Sequence, residues 1–82
     1  MKREEKILLQ RKLIFLENFQ GPRIKSKSKA RSLFNKVREM IENDEITTML
    51  GVESTIQYCI EHMESDERTP EGLASEMRNF VL

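Results

Sequence analysis

Apolar residues along this chain recur every three to four positions and never settle into alternation. Between them helix formers (Glu, Lys, Leu, Arg, Met) dominate, and β-branched residues do not cluster. The pattern predicts an all-α protein, a compact bundle of four to five short helices. A first helix is expected over about 3–19, stopping at Gln20-Gly21-Pro22. There glycine can take the left-handed cap and proline cannot continue the hydrogen-bond ladder. Residues 23–28 read as a basic connection, with Ser26 or Ser28 capping a second helix to about residue 42. Its apolar positions Ala30, Leu33, Phe34, Val37, Met40 and Ile41 share one face.

Asn43-Asp44 breaks that helix, and Asp44 is placed to cap a short third helix over 45–50 that ends at Gly51. A fourth helix, about 53–64, gathers Val52, Ile56, Cys59, Ile60 and Met63 on one side. Residues 65–68 form a polar turn. The last helix has the clearest start: Thr69 as N-cap, Pro70 in the first position, Glu71 facing the positive end of the dipole. Leu73, Ala74, Met77, Phe80 and Val81 would face inward, unless the tail 80–82 is a hook for a partner.

The first helix is too apolar for an ordinary surface helix. At roughly 100° per residue, Leu8, Leu9, Leu13, Phe15, Leu16 and Phe19 fill an arc of about 160°, while Ile7 and Ile14 fall on the far side. One expectation is a central helix wrapped by the others. The sharper one is that one stripe packs internally and the other meets a second chain. The helix is therefore expected to supply the partner-binding residues Leu9, Leu13, Leu16, Ile7 and Ile14, either to a second copy in a homodimer or to another protein.

The segment Ile46-Thr47-Thr48-Met49-Leu50-Gly51-Val52 resembles the first helix and glycine turn of the helix-turn-helix family, with apolar residues at Ile46, Leu50, Val52 and Ile60. The resemblance implies that the following helix reads DNA. That helix carries Glu53, Glu61 and Glu64 and no Lys or Arg, so phosphates would repel it. A helix–turn–helix packing unit is the expectation here.

Charge changes the picture more than composition does. The 82 residues are 38% hydrophobic and 34% charged with formal net charge zero, which suits one soluble domain spanning 1–82. Within it, residues 1–38 hold twelve Lys or Arg against three acids, and residues 39–82 hold eleven acids against Arg68 and Arg78. A basic half is followed by an acidic half, +9 against −9. The densest basic patch is Arg23, Lys25, Lys27, Lys29 and Arg31, extended by Lys36 and Arg38. It could follow phosphates, lie on an anionic surface, or neutralise the acidic half as a solvated, flexible connection. No aromatic residue is interleaved between Phe19 and Phe34, so base stacking is not offered there. The acidic half, with four of the five methionines, suits a basic surface on another protein.

Chemistry is sparse. Cys59 and His62 lie three apart on one helix, half of a zinc site with no further Cys or His to complete it, so the reading is a core cysteine with histidine at its edge. No glycine-rich phosphate loop or catalytic constellation is visible. A metal or cofactor is not expected, and neither is an enzyme. A lone cysteine cannot close an internal disulfide. With neither a signal sequence nor a membrane span in view, a cytoplasmic setting is expected. The sequence thus points to a small regulator that modulates or inhibits another protein, of the kind bacteria and phages encode as accessory factors. A nucleic-acid-binding regulator using the basic patch is the alternative.

Overall fold

The computed structural model of the chain describes residues 1–63 and 68–77. The protein is all-α. Its helices are α1 (Arg3–Gln20), α2 (Lys27–Glu42), α3 (Met49–Met63) and α4 (Pro70–Glu76), with a 3-10 turn at Gly21–Arg23 between the first two. Residues 64–67 and 78–82, which include most of the expected polar turn and the tail Phe80-Val81-Leu82, lie outside the described residues.

α1 opens without a side-chain cap, but Glu4 and Glu5 occupy its first turn, where the helix dipole favours negative charge. Its end differs from expectation. Gly21 is right-handed (φ −52°), and the chain tightens into the 3-10 turn, with the Ile24 N–H donating to the Gly21 carbonyl at 3.0 Å. Proline fits there because its fixed φ suits a first turn. Ile24 is buried, so the connection is pinned to the core rather than loose, and α2 already begins at Lys27. Ser26 is the cap, its Oγ accepting from the Lys29 N–H at 3.2 Å. Leu33, Phe34, Val37, Met40 and Ile41 are all buried, as their spacing requires.

The break after α2 also corrects the sequence reading. Asp44 adopts φ 60°, the left-handed conformation that closes a helix. The Asp44 N–H donates to the Ile41 carbonyl (3.2 Å) and the Glu45 N–H to the Met40 carbonyl (2.8 Å), satisfying acceptors that the helix end would leave open. Asp44 therefore ends α2 and caps nothing after it. No separate helix occupies 45–50. Ile46 is drawn into the core, and Thr48 starts α3 by accepting from the Gly51 N–H at 2.9 Å. Gly51 lies in the first turn of one continuous helix, so the helix-turn-helix resemblance fails at its turn.

α2 runs back along α1. Lys6 Nζ donates to the Glu42 carbonyl at 2.8 Å and Gln10 Nε2 to the Arg38 carbonyl at 3.2 Å, placing the start of α1 beside the end of α2. α4 starts as read, with Pro70 first and Thr69 Oγ1 accepting from the Gly72 N–H at 3.1 Å. Leu73 and Ala74 complete a core built on Leu13, Leu33, Phe34, Ile46 and Ile56. Among the described residues Thr55 is the one buried polar residue, and its hydroxyl donates to the Gly51 carbonyl at 2.7 Å. Among the described residues no buried side-chain nitrogen or oxygen lacks a partner, as burial of polar groups demands. No helix among them is long and apolar enough to cross a membrane.

Candidate functional site

α1 is two-faced. Leu9, Leu13 and Leu16 form a stripe about 60° wide that enters the core. On the opposite side Ile7, Leu8, Ile14, Phe15 and Phe19 stand in solvent, with Phe15 58% and Phe19 60% exposed. The helix is not wrapped by the others, and the division of its apolar residues differs from the sequence expectation. Leu8, Phe15 and Phe19, grouped by spacing in one arc with Leu9, Leu13 and Leu16, face outward. Of the residues expected to bind a partner, Leu9, Leu13 and Leu16 are committed to the chain's own core, because they alone point toward α2 and α3. Only Ile7 and Ile14 are free to meet another molecule.

The start of α3 also carries exposed apolar residues. Met49 and Leu50 are exposed at its start, Leu50 at 69%. One turn further along, Glu53 receives an ion pair from Lys12 of α1 at 2.7 Å. Lys12 also stands over the Phe15 ring at 5.3 Å, Arg23 stands over Phe19 at 5.7 Å, and the two rings stack with centroids 6.0 Å apart. Cations held against exposed rings keep the long aliphatic stems and phenyl faces ordered on the surface. Large apolar side chains exposed together along one helix mark candidate contact sites. Leu8, Lys12, Phe15 and Phe19 repeat at intervals of four, three and four, but Leu9, Leu13, Leu16 and Gln20 do the same, so spacing alone does not single out this stripe.

The basic patch is divided. Arg23 and Lys25 lie in the connection. Along α2, Arg31 and Arg38 share one flank and Lys29 and Lys36 the other, each pair seven residues apart. Arg38 reaches Glu17 at 3.6 Å and Lys36 reaches Glu39 at 3.9 Å. Among the described residues Lys25, Lys27, Lys29 and Arg31 make no ion pair, so these cations do not neutralise the acidic half. The two halves are joined instead through α1: Arg3 pairs with Glu42 at 3.1 Å and Lys6 with Asp44 at 3.5 Å. These exposed pairs orient the helices more than they stabilise them. Lys27 and Lys29 occupy the first turn of α2, at the positive end of its dipole, where no acid offsets them.

Cys59 is buried, and loss of solvent pushes its thiol up to about 12, with Glu76 adding to the effect. Such a thiol is protonated and inert at neutral pH. His62 is half-buried against the Tyr58 ring, centroids 4.5 Å apart. The Tyr58 hydroxyl donates to Glu76 at 2.9 Å, which raises its ionisation above the ordinary phenol value, and Arg68 pairs with the same carboxylate. This group ties α4 to α3. Among the described residues no three His, Cys, Asp or Glu side chains converge as a metal site would need.

Comparison with family models, with curated proteins and with solved structures finds no match to this chain.

Proposed function

We propose that this protein is a small non-enzymatic regulator that acts by binding another protein through the outward face of α1. The observation that supports this is the exposed apolar ridge Leu8, Phe15 and Phe19, with Ile7 and Ile14 on its rim and cations standing on its two phenyl rings. Apolar ridges rimmed by charge gain affinity from desolvation and orientation from the rim. Modulation or inhibition follows from covering a surface that the partner needs. The test compares capture from native extract by the wild type and by Ile14→Glu and Phe15→Glu, each checked for an unchanged circular-dichroism melt. Any captured protein is then titrated in purified form. Loss of binding in both variants supports the reading, and equal recovery by all three proteins overturns it.

A second reading rests on the unpaired cations Lys25, Lys27, Lys29 and Arg31 around the start of α2. They suit phosphates, and a nucleic acid bound there would be released steeply as salt rises. A generic duplex or single-strand probe at low salt tests this. Binding abolished by reversing Lys25, Lys27 and Lys29 supports it, and no shift at all removes it.

A further inference from the structure

We infer that the occupant of the α1 face is α1 of a second copy, packed antiparallel about a two-fold axis; this rests on the reading of that face as a contact surface. The stripe Leu8, Lys12, Phe15 and Phe19 has the four–three spacing that keeps one seam facing a neighbouring helix. The Lys12–Glu53 pair holds the stripe beside the first turns of α3, where Met49 and Leu50 are exposed. In the antiparallel register that sets Phe15 opposite Lys12 of the second copy, Leu8 falls opposite Phe19. Each of these contacts occurs twice by symmetry. The ammonium that already stands 5.3 Å over its own Phe15 ring then lies between two phenyl faces.

The flank of the seam settles the choice of occupant. Glu4, Arg11 and Asn18 follow one another at seven-residue intervals beside the stripe, and Arg23, in the 3-10 turn beyond the foot of α1, stands over Phe19. None of the three charged ones forms an ion pair within the chain among the described residues. In the same register Glu4 falls opposite Arg23 of the second copy, held over Phe19, and Arg11 lies beside Asn18. An acid at the head of the helix and a base beyond its foot make the face complementary to itself only when the copies run in opposite directions. A parallel pair would set Lys12 on Lys12 in the seam, two like charges face to face.

Sedimentation equilibrium across a dilution series tests the inference on the intact chain. A reversible dimer is expected, together with a monomer for Phe15→Glu of unchanged helicity. Glu4→Lys should weaken the dimer about tenfold, since two pairs become repulsive. Combining it with Arg23→Glu should restore most of the affinity. A wild type that stays monomeric at every concentration overturns the inference, and so does a dimer indifferent to Glu4→Lys or not rescued by the combined variant. The two proposals fail separately. A monomer whose face variants still lose a partner removes the dimer alone, whereas a dimer whose face variants capture partners normally removes the regulatory reading alone.

Discussion

α1 and α2 lie side by side, 18 and 16 residues long, and they use their apolar residues differently. Every large apolar side chain of α2 is buried, and its polar face is continuous. α1 buries three leucines and leaves five large apolar residues in water. An amphipathic helix needs one stripe to join a core, and α2 has one. The surplus on α1 serves nothing inside the molecule, which is why the outward side of α1, rather than the basic helix beside it, carries the case for an interaction surface.

The same residue type on the two helices gives the largest test of that difference. Phe34 on α2 is 1% exposed and Phe15 on α1 is 58% exposed. Phe34→Ala should lower stability by about 3–5 kcal/mol in urea unfolding, because it loses burial and leaves a cavity. Phe15→Ala, measured at a concentration where the chain is monomeric, should change it by less than about 0.5 kcal/mol. Comparable losses from the two would mean that the ring of Phe15 is part of the fold.

A smaller test uses the helix starts. Ser26 caps α2 with its side chain, whereas Lys2 before α1 makes no such bond. Ser26→Ala should cost about 1 kcal/mol, and Lys2→Ala close to nothing. Thermal melts of the two variants would show whether α1 is instead held by its tertiary contacts. The smallest effect has the opposite sign. Lys29→Glu places an acid three residues after Ser26, completes a reciprocal cap and relieves the first turn of α2, so it should stabilise the protein by about 0.5 kcal/mol. The same variant removes a cation that a nucleic-acid interface would need. A stabilised protein with unaltered probe binding would therefore count against the basic patch as a working surface.

α2 and α4 were legible in the sequence because each combined a periodic stripe with a local cap, Ser26 for one and Thr69-Pro70 for the other. The region 43–51 was not. Asn43-Asp44 correctly marks a break, but aspartate serves either as an N-cap or as a left-handed terminator. Which role it takes depends on whether the next residues, here Ile46 above all, are pulled into the core. Gly51 misled for a related reason. A glycine that stops a helix in one context sits without penalty beneath a threonine cap in another, and Thr48 was the available signal. The candidate site was half legible. Ile7 and Ile14 could be placed on an outer side from spacing alone, but Leu8, Phe15 and Phe19 could not be separated from Leu9, Leu13 and Leu16.

By itself the sequence determined that the chain is helical, where most of its helices begin, and that α1 carries more apolar surface than one contact can use. Those properties are set within about four residues of each position, by propensity, caps and period. Only the tertiary structure decided which stripe of α1 enters the core and which cations find partners. Neighbouring stripes satisfy the same helical period, and the choice is made by where α2 and α3 lie in space.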